Sequence, residues 1–283
     1  MSAEGYNPIH HVQDATSLEL PFNIHISWQT VDVPVPECLQ AYLGTEPFHF
    51  GTKYMLLELA AFLICCFIFI PLARKIRTGE PVKGRFANMM EAMIMFVRND
   101  IAIPNIGKAH VNAYLPYLLS IFFFILFCNL LGLIPWLGSA TGSWGTTLIL
   151  AIGTFFTVVG AGMKEKGVVG FWAGLCPKID VHWTLAIVLV PMLWCLEFIS
   201  LIIKHFVLSV RLLANMFAGH LVLAVILGFI FTTASSAAWY GVMPASVLGS
   251  VCLNLLELFV AFLQAYIFTF LSALFIGSAM HSH

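Results

Sequence analysis

Residues 181–233 read VHWTLAIVLVPMLWCLEFISLIIKHFVLSVRLLANMFAGHLVLAVILGFIFTT, an apolar run of about fifty residues that carries Glu197, Lys204 and Arg211 within it. As one helix it is near 75 Å long at about 1.5 Å per residue, whereas a bilayer's hydrocarbon core is only about 30 Å thick. Either the run breaks into pieces or the helix lies strongly oblique to the membrane normal. Pro191 sits near its start, where proline is best tolerated, and Pro244 holds the same place in the next run, so two long tilted helices are expected. An arginine at the bilayer centre costs about 2.5–3.5 kcal/mol on insertion scales. It cannot escape by deprotonating, because its pKa exceeds about 12, so some interaction must offset that cost. Snorkelling is the bland alternative. Arg211, however, lies seven residues past Lys204 and more than twenty before the next loop.

The composition agrees with a membrane setting. Of 283 residues, 60% are hydrophobic and 10% charged, with a mean hydropathy of +0.93. A soluble domain carries about 25% charged residues, so a soluble fold is excluded. The net charge of −1 gives no argument for nucleic acid as a partner, and no basic tail or interleaved aromatic patch suggests one. Cys65, Cys66, Cys128, Cys176, Cys195 and Cys252 lie in or beside apolar runs, and no CxxC occurs. They read as small buried apolar residues, with no metal site, disulfide framework or cofactor expected.

Shorter apolar runs cover residues 54–73, 114–135 and 146–163, and a second long one covers 242–280, making five spans in all. Lysine and arginine orient them. Seven lie within 74–112 (Arg74, Lys75, Arg77, Lys83, Arg85, Arg98, Lys108) and three follow the third span (Lys164, Lys166, Lys178). The loops around 138–145 and 234–241 have none. Alternate connections are thus basic and non-basic, which puts the N-terminus outside and the C-terminus inside. The first fifty residues are polar and mixed, with neither the basic nor the apolar region of a secretory signal, and are expected to be retained and to sit in water. The expected fold class is therefore all-α: one integral membrane domain over 1–283, with an extracytoplasmic segment at 1–53 and a helical region from 54 onward. Residues 84–102 set Phe86, Met89, Met90, Met93, Val97 and Ile101 opposite Arg85, Asn88, Glu91, Arg98 and Asn99. This is the pattern of an amphipathic helix lying in the membrane interface, or equally of a short helix packed on the rest of the protein.

On the fourth run, helical periodicity gathers Glu197, Lys204, Arg211, Asn215 and Ala218 on one face and puts His220 on the opposite face, further outward. On the fifth, Glu257 and Gln264 share a face with Ala261 and Phe268. Antiparallel pairing of the two helices lets His220 approach Glu257 and leaves Gln264 nearer the level of Arg211. Taken singly, His220 reads as a satisfied buried histidine, Glu257 as an interhelix contact, and Asn215 and Gln264 as ordinary interhelical hydrogen-bonders. Lys204 and, with it, His205 read as snorkelling or positioning residues, and Glu58 as interfacial.

Two motifs change that balance. Arg211-Leu-Leu-Ala-Asn215-Met-Phe-Ala-Gly219-His220-Leu, followed by Leu256-Glu257-Leu-Phe-Val-Ala-Phe-Leu-Gln264-Ala-Tyr266-Ile-Phe, closely resembles subunit a of F-type ATP synthases. His10-His11, Asn129-Leu-Leu-Gly-Leu-Ile-Pro135 and Met163-Lys-Glu-Lys-Gly167 extend the resemblance over most of the chain. The resemblance implies a non-catalytic stator subunit in a bacterial inner membrane, with the c-ring subunits, the peripheral-stalk b subunits and the rest of the synthase as partners. It further implies that Arg211 is the essential fixed charge facing the ring carboxyls. Glu197 then lines the inner half-channel, while Asn215, His220, Glu257 and Gln264 match the outer and arginine-adjacent positions. Histidine and glutamate suit a relay because each gains or loses a proton or holds ordered water. Where relatives often have proline, this chain has His205. Coupling to sodium instead of protons stays open, since ion choice is set mainly on the ring. A secondary transporter with a midplane anion site is the rival from another class, but internal repeats and paired broken helices are not seen. An intramembrane enzyme lacks its serine–histidine or paired-aspartate motif.

Overall fold

The long leucine-, isoleucine- and phenylalanine-rich runs are helices in the computed structural model, which describes residues 17–20, 24–27, 31–33, 48–50, 52–77, 84–134, 139–174, 183–234, 236 and 238–281. His10, His11, Lys83, Pro135, Cys176 and Lys178 lie outside the described residues. Among the described residues, five helices are long and apolar enough to cross a membrane. They are α1 (Lys53–Arg77), α4 (Val111–Gly132), α5 (Trp144–Lys166), α7 (Trp183–Thr232) and α8 (Trp239–His281). Three shorter α-helices are also described: α2 (Arg85–Phe96), α3 (Ile103–Ile106) and α6 (Val168–Gly174). The chain is a multi-pass, all-α membrane protein in its spanning region.

α7 runs unbroken for 50 residues and α8 for 43, with Pro191 and Pro244 near their starts. The apolar part of α7 alone covers 44 residues, or about 66 Å of helix, which fits a core of about 30 Å only at a steep tilt. The segment before α1 adds four short strands to the expected helices. Ser17–Leu20 (β1) pairs antiparallel with Ile24–Ser27 (β2), and Val31–Val33 (β3) pairs with Phe48–Phe50 (β4). Each strand alternates apolar and polar residues with the period of two that a ribbon needs.

The amphipathic stretch is also helical, but it divides. α2 passes through a π-helical turn, Val97–Ala102, into α3. Val97, Ile101 and Ile106 are fully buried, while Phe86 and Met89 are exposed. The end of the stretch is packed protein interior, and its beginning presents apolar side chains outward as an interfacial helix does.

The chain folds as two compact units. One comprises Met1–Ile68, Phe124–Ser143 and Leu213–Phe262; the other comprises Phe69–Phe123, Trp144–Leu212 and Leu263–His283. In the first unit, Ala140 packs on Tyr54 and Leu57 at the start of α1. The loop carrying it is stapled by Asn129, whose Nδ2 donates to the Ala261 carbonyl (3.3 Å) and whose Oδ1 accepts from Thr141 Oγ1 (2.8 Å). Ser139 lies 2.8 Å from the same threonine hydroxyl, and a Cβ on Gly132 would come within 2.8 Å of the Ser139 Cβ. Asn129→Ala leaves Thr141 and the fully buried loop polar groups short of a partner, at about 1–3 kcal/mol. A lowered thermal midpoint of the detergent-extracted chain is the expected result.

In the second unit, α8 meets α3 backbone to backbone: a Cβ on Gly277 would run into the Asn105 carbonyl oxygen. A Cβ on Gly162 of α5 would likewise run into the Phe171 ring. Tyr117 of α4 donates to Thr154 of α5 at 3.2 Å. Close approach and polar contacts between helices replace the hydrophobic driving force that lipid removes.

Candidate functional site

The two faces of α7 differ as the sequence periodicity requires. His205, Leu208, Ser209, Leu212 and Met216 are buried. Glu197, Lys204, Asn215 and Ala218 are exposed, and Arg211 is half-buried among them. Val207, Val222 and Val225, on the same side, are exposed too. Polar groups therefore stand on a face of an apolar helix that is exposed among the described residues. Among the described residues no carboxylate lies within ion-pair distance of Arg211. A guanidinium in an apolar setting is costly unless an anion or water meets it.

α8 has the opposite arrangement. Glu257, Ala261, Gln264 and Phe268 share one face, and all four are buried. Glu257 belongs to the first unit and abuts Gly219 of α7: a Cβ added to that glycine would lie 3.0 Å from the Glu257 carboxyl carbon and closer still to Oε1. Gly219 precedes His220, so the carboxylate and the imidazole belong to one neighbourhood of α7 and α8. Oε1 of Glu257 and Nε2 of His220 are both buried without a hydrogen-bond partner among the described residues. Such a pair is suited to hold water between them, since buried polar atoms that protein leaves unpaired are usually hydrated.

Glu197, Arg211 and Gln264 belong to the second unit, and Asn215, His220 and Glu257 to the first. Within the second unit no ion pair joins Arg211 to Glu197 among the described residues. Two neighbours escape the sequence reading. Gly219 stands there only as part of a motif, not as the space for a carboxylate; a small residue beside an ionisable one on a packed helix is the available signal. Lys53, buried at the start of α1, stands close enough to His220 for its charge to act on the imidazole. Nothing in the linear pattern joins positions so far apart.

The model of the ATP synthase A chain family matches residues 55–277. The "ATP synthase subunit a 2" of Chlorobium luteolum is 44% identical over 245 residues, which cover 84% of this chain and 69% of that protein. The protein of the same name from Prosthecochloris aestuarii is 45% identical over 220 residues, or 78% of this chain and 65% of the relative. The "ATP synthase subunit a" of an Anaeromyxobacter species is 37% identical over 302 aligned positions, covering 97% of this chain and 70% of its own length. A family match over most of the residues, including both long helices and every motif residue from Glu197 to Gln264, leaves one conclusion: this chain belongs to the ATP synthase A chain family.

Proposed function

We propose that this chain is the proton-carrying stator subunit of an F-type ATP synthase in a bacterial inner membrane, with its N-terminus outside and its C-terminus inside. Its partners on this reading are a rotating ring of small hairpin c subunits, the peripheral-stalk b subunits and the rest of the complex. The open face of α7 meets the ring, and Arg211 supplies the fixed charge that each ring carboxyl passes. A carboxyl arriving near Arg211 is drawn to ionise, because a close positive charge favours the charged form. Its proton leaves through one half-channel, and the carboxyl is reprotonated from the other. His220 and Glu257, with Asn215 and Gln264 deeper along the path, serve the outer half-channel, and Glu197 serves the inner one. The same positive charge repels protons and so blocks a direct leak between the two. Each proton falling through the potential supplies about 2.3 kcal/mol per 100 mV.

The observation that carries this reading is the half-buried Arg211 on an open apolar face, without a carboxylate of its own chain among the described residues. A partner whose charge arrives and departs answers that requirement better than a permanent ion pair would. The distribution of orphan buried atoms at His220 and Glu257 supports a hydrated route on the outer side.

Replacing both His220 and Glu257 with alanine is expected to slow proton flux into inverted vesicles without dissociating the complex. Normal flux in the double variant removes the two residues from the path. Failure of the chain to co-purify in mild detergent with a ring of small hydrophobic subunits contradicts the whole reading.

A further inference from the structure

His205 lies outside the proposed path, on the buried face of α7, and is 3% exposed. Its ring is enclosed by Phe155 of α5, edge-on at 5.4 Å between centroids, and by Phe275 of α8 at 5.2 Å. All three residues belong to the second unit. Nδ1 is 2.8 Å from the Leu201 carbonyl oxygen. A carbonyl oxygen only accepts, so Nδ1 carries the hydrogen and Nε2 of the neutral ring is a bare acceptor. That Nε2 is buried and meets no hydrogen-bond partner among the described residues.

One helical turn later the same face carries Ser209, fully buried, whose Oγ is also without a partner among the described residues. Three other buried hydroxyls in these helices return to their own backbone. Thr154 donates to the Leu150 carbonyl, Thr269 to Ala265 and Ser272 to Phe268. Ser209 does not make that bond to residue 205, so its hydroxyl is turned elsewhere. An acceptor and a hydroxyl thus stand one turn apart, where Cβ atoms are about 5–6 Å from each other. Leaving both unsatisfied in a dry interior is unfavourable, and one water spans such a gap.

We propose that His205 Nε2 and Ser209 Oγ hold a single internal water between α5, α7 and α8. The water donates to Nε2 and exchanges its second bond with the serine hydroxyl. The phenylalanine rings pack on its histidine side. The anchor fixes which face of α7 turns inward, a role that buried polar groups fill where apolar packing alone is permissive of rotation. The site stands whether or not the chain carries protons, because it uses none of the path residues.

Two measurements on the intact complex test it. A density map fine enough to resolve waters is expected to show one within about 2.6–3.2 Å of both atoms. An empty space there, or a direct His205–Ser209 bond, overturns the proposal. A double-mutant cycle tests the pairing separately. Ser209→Ala and His205→Leu each strand one buried partner and are expected to shift the ratio of folded to unfolded chain by about 5–30-fold. Removing both polar groups together is expected to recover most of that loss. Strictly additive losses in the double variant overturn the shared site.

Discussion

Replacing Arg211 with lysine is expected to reduce proton-driven ATP synthesis to background. Both side chains are cationic, so the prediction turns on what differs. The guanidinium is planar, weakly hydrated and charged at any working pH, and it presents a rigid fork that matches a carboxylate. The ammonium is compact, strongly hydrated and flexible, and it loses its proton readily when desolvated. Arg211 is half-buried on a helix face that carries the exposed Val207 one turn away, an apolar setting that makes desolvation matter. A lysine there either retreats to neutrality, and no longer ionises the arriving carboxyl, or keeps its water and holds the carboxyl at the wrong distance. The attraction must also be weak enough for rotation to break it at every step. A pair that outlasts the roughly 2.3 kcal/mol supplied per proton per 100 mV stalls the ring. Synthesis in inverted vesicles, measured alongside the amount of assembled complex, separates a transport defect from a failure to assemble. Unimpaired coupled synthesis in the lysine variant sinks the mechanism.

Gly219→Ala is expected to lower proton flux by about tenfold while leaving the helix intact. Two effects oppose each other at this position. Alanine is a better helix former than glycine by roughly 1 kcal/mol, so α7 itself gains. The new methyl, however, would sit 3.0 Å from the Glu257 carboxyl carbon and closer to its oxygen, so the carboxylate must move. Overpacking of this kind costs about 1–3 kcal/mol, which exceeds the helical gain and falls on the Glu257 carboxylate. The signature is a protein that assembles normally yet conducts slowly. Glu257→Asp, shorter by one methylene, makes room for the methyl, so the double variant is expected to recover part of the flux. A Gly219→Ala protein with normal flux removes the close approach from the account, as does a double variant no better than the single.

Much of the architecture is legible in the sequence because lipid imposes length and polarity so strictly. The five apolar runs and the five helices differ only by a few residues at their ends, and the buried quartet Glu257, Ala261, Gln264 and Phe268 follows directly from helical periodicity. The four short strands are visible in principle, since Ser17-Leu-Glu-Leu20 and Ile24-His-Ile-Ser27 alternate strictly. A three- or four-residue run nevertheless carries little weight against a helical background. The π-helical turn at Val97–Ala102 has no such signal: it arises where the amphipathic helix changes from an exposed apolar side to a packed end. The contact of Gly219 with Glu257 and the proximity of Lys53 to His220 depend on how helices distant in sequence pack, which periodicity within one helix does not report. His205 illustrates the same limit. Its type and position suggest a snorkelling or positioning residue, but only its two aromatic neighbours and its partnerless Nε2 among the described residues define a site.

The central claim is that the face of α7 bearing Arg211 meets a moving partner, and in-membrane photo-crosslinking addresses it most directly. A photoreactive phenylalanine analogue is placed at Val207, 44% exposed on that face, and for comparison at Phe67, 81% exposed on α1. Illumination of native membranes is expected to join the Val207 variant to a small hydrophobic subunit and to give no such adduct from Phe67. Lipid adducts alone at Val207, or equal capture of the small subunit from both positions, contradict the account.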